Sequence, residues 1–546
     1  MEWSSYQKNI FDAVANSEDS LLVEACAGSG KSTTLLEAIN CVPKDKSVLF
    51  CAFNRHIAEN LKSKITARNA QCKTLHALGY KAWRDYLGGD AYTCKVDGGK
   101  TSAIIKEYCS VLERARYGEE LRKLTGIVKG AGMVPKGLDL HGLVEDDEEV
   151  WADLISFYGL DPDGCSAEVT RKVLRHSIEL SRDVIDYDDM LWLPIIHQSR
   201  FDKYDVIFLD EAQDVNAIQV EIVDRMRKPT SRVVAVGDRN QSIYLFRGCL
   251  TASMDNIAKR FHCRSLPLSV SYRCPKAVVR KAQEIVSHIQ SHESAPEGLV
   301  VEYPPVWPLT NFRPTDAIVC RNTRPLITTA FLLIRNKISC RVLGRDIGEG
   351  LIKLIKKMKA YSIPELVGNL ARYRRKEIEK ARARDDEAKI AALDDKLETI
   401  NVFIDEAGPT ATVETLIGEI DALFSDTTGG RLTLSTVHKY KGLEAPRVFI
   451  LDAHILMPNR YAHTEAQLEQ EANLIYVAQT RAKEELYYIS SEVLKVYETV
   501  GQHPNLEVAK PVLVEPVPTM TQAEARVKGT KLDPKDDGFV FDGEEK

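Results

Sequence analysis

Residues 20–38, SLLVEACAGSGKSTTLLEA, constrain the fold more than any other stretch of the chain. Positions 20–25 have the aliphatic, β-branched character of a buried strand, and positions 32–39 carry apolar residues at helical spacing. Between them Gly28, Ser29 and Gly30 permit a tight turn. Such a strand–turn–helix unit aims backbone N–H groups and the positive end of the helix at one anion. Lys31 adds a full charge, and the Ser32 hydroxyl is suited to Mg²⁺. Ala25 stands where the general pattern G-x-x-x-x-G-K-[ST] has its first glycine. The expected nucleotide-binding set is Ala25, Cys26, Ala27, Gly28, Ser29, Gly30, Lys31, Ser32 and Thr33.

A second segment, DVIFLDEAQ at 205–213, delivers two carboxylates at the end of an apolar strand. Adjacent acids repel, so their pairing points to divided work. Asp210 is expected to hold Mg²⁺ bridging the β- and γ-phosphates, while Glu211 takes a proton from the attacking water. A third apolar strand, 232–236, runs into GDRNQSIYLFRG at 237–248. There Gln241 is placed to sense the γ-phosphate. Tyr244, Phe246 and Arg247 offer stacking surfaces for unpaired bases, worth about 1–3 kcal/mol per base.

Strands that each end in polar groups suggest a parallel α/β sheet, whose ligands gather at the C-terminal strand ends. On that argument Arg55, Thr74 and His76 are candidate contacts, although Arg55 and His76 alone would more often be surface or capping residues. Gln7 has an amide able to donate to and accept from an adenine edge. A solitary glutamine there also fits an ordinary solvated helix position.

Composition adds exclusions. The formal net charge of -6 does not by itself announce a nucleic-acid binder, although a local groove can be basic in an acidic protein. Twelve cysteines form no C-x-x-C pair and no metal spacing with histidine, so reduced thiols in a cytoplasmic protein are expected. No signal peptide or membrane-spanning stretch is expected.

The order of these segments, from Gln7 to Lys483, resembles that of superfamily 1 helicases of the UvrD/PcrA/Rep type, and among them the branch containing the F-box DNA helicases. Further matching stretches are IDYDDML at 185–191, SVSYRCP at 269–275, LTLSTVHKYKGLE at 432–444 and NLIYVAQTRAK at 473–483, the last of which reads as a helix throughout. The resemblance implies an α/β protein of two RecA-like, doubly wound parallel-sheet lobes, each interrupted by a mostly helical inserted subdomain. It also implies roles. Gln7 would recognise adenine and Tyr272 lie against its face, while Arg273 and Arg481 would act as arginine fingers and Glu444 contact the ribose. Thr74, His76, Phe246 and His438 would contact single-stranded DNA.

The expected plan places the first lobe at 1–84 and 185–265, interrupted by helical residues 85–184. This insertion would contain a glycine-rich connection at 126–137 and three candidate backbone-contacting lysines, Lys95, Lys129 and Lys136. The second lobe would occupy 266–345 and 431–505. Its insertion, 346–430, reads as a solvated helical hairpin, reduced from a subdomain that in the resembled family contacts duplex DNA. The proline- and charge-rich tail, 506–546, is expected to be disordered and is a candidate docking segment for a loading partner. The implied function is an ATP- and Mg²⁺-dependent DNA helicase, moving 3′ to 5′ on single strands and opening tailed or forked duplex in replication, repair or recombination. Its rivals are a translocase that strips proteins without unwinding and an ATP-gated binding or annealing factor.

Overall fold

A computed structural model describes residues 3–52, 58–59, 64–65, 67–157, 160, 166–243, 253–382, 387–408, 411–424, 431–460, 462 and 465–494. Arg55, Tyr244, Phe246, Arg247 and the tail 506–546 lie outside these residues.

The chain first lays down β1 (Leu21–Ala25), β2 (Val48–Ala52) and β3 (Ala70–Thr74). A small parallel pair, β4 (Lys95–Val96) and β5 (Val184–Ile185), precedes β6 (Tyr204–Leu209), β7 (Arg227–Gly237) and β8 (Arg264–Leu268). Six of these form a parallel sheet in the order β3-β2-β6-β7-β1-β8. Its sequence is apolar on both strand faces because both are covered. Leu21, Val23, Phe50, Phe208 and Val234 join one buried cluster, while Leu22, Leu49, Ile207 and Val233 join another. The period-2 alternation of side chains thus feeds two cores.

After Leu268 the chain leaves this sheet through β9 (Val270–Ser271), which pairs with β10 (Gln290–Ser291). It then supplies β11 (Leu299–Glu302), β12 (Ala317–Cys320), β13 (Cys340–Val342), β14 (Leu432–Thr436), β15 (Ala445–Leu451) and β16 (Ala482–Ile489). These form a second six-stranded parallel sheet, ordered β11-β16-β15-β12-β14-β13. The two sheets are the two RecA-like lobes.

Four local expectations change. The helix expected through residue 483 ends at Gln479, and the following AKEELYYI is β16, between β11 and β15. Its Lys-Glu-Glu start favours helix locally, but pairing with both neighbours and buried Leu486, Tyr488 and Ile489 override that preference. Gly126 and Gly130 lie inside the helix Val111–Ala131, which ends at left-handed Gly132. A Cβ at Gly130 would stand 3.0 Å from Asn216 Nδ2, so glycine allows this helix to approach the first sheet's Ala217–Arg225 helix.

Lys129 is fully buried, with Nζ 2.7 Å from Asp189 and 3.0 Å from Asp186, and therefore cannot grip a DNA backbone. Among the described residues, 346–430 form no solvated hairpin. Helices Arg345–Met358, Ile363–Arg382, Glu387–Ala407 and Val413–Leu423 contribute Leu354, Leu366, Ile400, Phe403 and Ile420 to the same cluster as β12 and β14. Their charged faces mask apolar positions at helical spacing.

Candidate functional site

Because β6, β7 and β1 are neighbours, the turns after them open on one place. Register sets Glu24 opposite Gly237 and Leu209 opposite Ala235. Gly28 and Gly30 have φ of 73° and 79°, left-handed values that spare glycine the Cβ penalty. Gly30 leads into the helix Lys31–Asn40, whose N-terminus has no side-chain cap, the arrangement an anion can occupy.

Glu211 also has a left-handed backbone, φ 51° and ψ 47°, a strain of about 1–3 kcal/mol for a residue with a side chain. Its Oε2 accepts from Lys31 Nζ at 2.8 Å and from Gln213 Nε2 at 2.5 Å. Burial works against its charge, but Lys31 and Lys441 hold the Glu211 carboxyl below its usual range. Burial, then the neighbouring Glu211 charge, pushes Asp210 upward. The two carboxyls are therefore driven apart, with Glu211 held ionised by its lysine neighbours. Gln241 Nε2 donates to Asp238 Oδ2 at 2.6 Å, beside these acids.

The second sheet reaches into this site. The Tyr272 N–H donates to Gly28 O at 2.9 Å, and a Cβ on Gly28 would fall 2.7 Å from that of Arg273. The Ala27 N–H donates to the hydroxyl of Tyr476 at 2.9 Å. Lys441 Nζ lies 2.7 Å from both Asp214 Oδ2 and Gln241 O. Gln213, Lys441 and Tyr476 carry no sequence signal for this place: Tyr476 sits in an apolar helical pattern that reads as core, and Gln213 and Lys441 are merely polar neighbours of named residues.

The two arginines are engaged within the second lobe. Arg273 Nε pairs with Glu444 at 2.6 Å, and Glu444 also pairs with Lys483. Arg481 donates to Val477 O at 2.9 Å; burial, then the Arg273 charge, lowers it to about 10. Gln7 is only 4% exposed, which removes the solvated reading. Its Oε1 accepts from Ser4 and from the Tyr272 hydroxyl, while Nε2 donates to Thr34 Oγ1 at 2.9 Å.

Away from these groups, two turns match. Thr74 ends β3 and caps the helix Leu75–Leu87, accepting from Ala77 N at 3.2 Å. Thr436 ends β14 and caps Val437–Tyr440, accepting from Lys439 N at 3.4 Å. The sequences are Thr-Leu-His and Thr-Val-His, so His76 and His438 stand at the same helical position. Burial lowers both imidazoles. His438, with Arg321 and Lys441 adding to burial, falls to about 3, so any strand contact it makes is that of a neutral ring.

Among the described residues, no group of three or more His, Cys, Asp or Glu could hold a metal alone. Mg²⁺ needs no such group, because it keeps its waters and takes few protein ligands beside substrate phosphates. Buried Asp210 and exposed Ser32, in the first turn of the helix after the loop, fit that need.

Residues 6–262 match the model of the UvrD/REP helicase N-terminal domain, and residues 342–493 that of the UvrD-like helicase C-terminal domain. F-box DNA helicase protein 1 of Schizosaccharomyces pombe is 27% identical over 299 residues, covering 52% of this chain and 33% of that protein. ATP-dependent DNA helicase PcrA of Bacillus subtilis is 23% identical over 310 residues, covering 51% and 39%. F-box DNA helicase 1 of Gallus gallus is 28% identical over 245 residues, covering 42% and 22%. The chain thus spans two fifths or less of these curated relatives. With both family domains present, in order, over two parallel-sheet lobes, the chain belongs to the UvrD/Rep-type helicases of superfamily 1.

Proposed function

We propose that the protein is an ATP-driven motor that moves 3′ to 5′ along single-stranded DNA and separates tailed or forked duplex, serving replication, repair or recombination. One observation carries the reading: groups of the hydrolytic site on one lobe meet a cation and a hydroxyl from the other, through Lys441 to Asp214 and Gln241 and through Tyr476 to Ala27. Hydrolysis and lobe movement then share the same bonds. Thr74, His76 and His438 grip the strand at matching turns of the two lobes, and Arg55, Tyr244, Phe246 and Arg247 contact it as well.

The resting contacts suggest an order of events. Phosphates entering the loop give Lys31 a stronger partner than Glu211, freeing that carboxylate to take the proton of the attacking water. A ribose hydroxyl donating to Glu444 would release Arg273 towards the phosphates, where Arg481 follows as the cleft tightens. Gln7 exchanges its internal partners for the adenine edge. Ser32 and Asp210 would hold Mg²⁺, which when bound would supply charge neutralisation for the transferring phosphoryl group.

The test is steady-state ATPase activity without nucleic acid, with single-stranded DNA and with single-stranded RNA, using Lys31→Ala as the blank. Strong stimulation by DNA is expected; indifference to both would sink the motor. Fluorophore arrival at a strand end should be delayed in proportion to strand length, and tailed duplex should separate. Translocation without separation would favour the protein-stripping alternative. For Lys441→Ala the ratio of DNA-stimulated to basal turnover is expected to fall by about 5- to 150-fold, the range of ordinary coupling energies. An unchanged ratio would remove Lys441 from the coupling path.

A further inference from the structure

We propose that His292 is a positioning residue of the adenine slot, holding the Tyr272 ring ready for the base from the side the base does not use. The inference rests on the proposed role of Tyr272 as the surface on which adenine stacks.

Tyr272 follows β9 directly, and the residue remains 41% exposed. An exposed phenol on a short strand has rotamer freedom, and stacking a base on it costs the entropy of fixing it. Two contacts reduce that freedom. The hydroxyl donates to Gln7 Oε1 at 3.1 Å, a bond that is lost if Gln7 turns to the adenine edge. The ring also packs against His292, with centroids 4.9 Å apart and planes inclined by 36°. That contact involves no group the base must recruit.

The backbone places His292 for this task. β10 runs parallel to β9 with Ser291 opposite Ser271, and the His292 N–H continues the ladder to Ser271 O at 3.2 Å. The imidazole is held in turn by its own loop. Its Nδ1 accepts from Ser294 N at 3.3 Å and lies 2.8 Å from Ser294 Oγ. A ring fixed at one edge and packed against Tyr272 acts as a backstop. Nothing else in the proposed mechanism uses it.

The decisive experiment compares His292→Ala, His292→Phe and Tyr272→Ala in the full chain, measuring KM and kcat for ATP and inhibition by inorganic tripolyphosphate, which has no base. Removing an aromatic pair corresponds to about a 2- to 13-fold weakening. For His292→Ala that loss is expected in the KM for ATP, with kcat within about twofold and tripolyphosphate inhibition unchanged. His292→Phe should restore KM, because ring contact and not the Nδ1 bond is what Tyr272 meets. An unchanged KM in His292→Ala beside a raised KM in Tyr272→Ala overturns the inference alone. Weakening of ATP and tripolyphosphate together also overturns it, as the sign of a loosened phosphate loop. An unchanged KM in Tyr272→Ala brings down the adenine slot itself.

Discussion

Replacing Glu211 with glutamine is expected to cut ATP turnover by about 10²- to 10⁴-fold while nucleotide binding persists, the loss typical of a missing general base. The amide nearly matches the carboxylate in shape and can still accept from Gln213 Nε2, so the left-handed turn at 211 has no new reason to move. What disappears is the capacity to take a proton. The substitution also dissolves the 2.8 Å ion pair that occupies Lys31 before nucleotide arrives, so affinity for ATP should hold or rise. Turnover read beside titration of a fluorescent ATP analogue separates the two effects. Near-normal turnover would hand the proton to another group, and lost binding would mean that the loop itself had been disturbed.

The second large effect concerns stability. Lys129→Met should lower the free energy of the first unfolding transition by about 3–5 kcal/mol, because removing one member of a buried ionic network leaves charge without compensation. Lys129 and Lys100 together face Asp186 and Asp189. Lys100 Nζ lies 2.7 Å from Asp189, and Lys129 bonds both acids. Without Lys129, one buried ammonium serves two buried carboxylates. These groups join the helices Lys100–Tyr108 and Val111–Ala131 to the start of Asp189–Ile196, whose apolar residues belong to the first sheet's core. Urea unfolding followed by tryptophan fluorescence is the natural measurement, with Trp192 5.6 Å from the Lys129 ammonium as a local reporter. A shift below about 1 kcal/mol, the worth of an exposed pair, would show that water reaches the network.

The fold was legible where one signal dominated. Continuous apolar runs ending in glycine or acid marked β1, β6 and β7, since strands buried on both faces have no polar side to blur them. β16 was hidden by its Lys-Glu-Glu opening, whose preference is decided only when β11 and β15 pair on either side. The charged helices after β13 hid their apolar stripe in the same way. For the site, motif spacing brought Lys31, Asp210, Glu211 and Gln241 into view. It could not reveal the resting partners, because Arg273 with Glu444 and Tyr476 with Ala27 are separated by 171 and 449 residues. Lys129 shows the converse: a lysine in a charged helix looks solvated until the aspartates around it are seen.

The repeated Thr-His turn has one further consequence on the proposed reading. A turn repeated on both sides carries no heading of its own. Heading must come from timing, from which turn loosens first when the cleft shuts. Direction would then be written in the asymmetric contacts between the lobes, and exchanging the two turns, Leu75 for Val and Val437 for Leu, should leave the heading as it was.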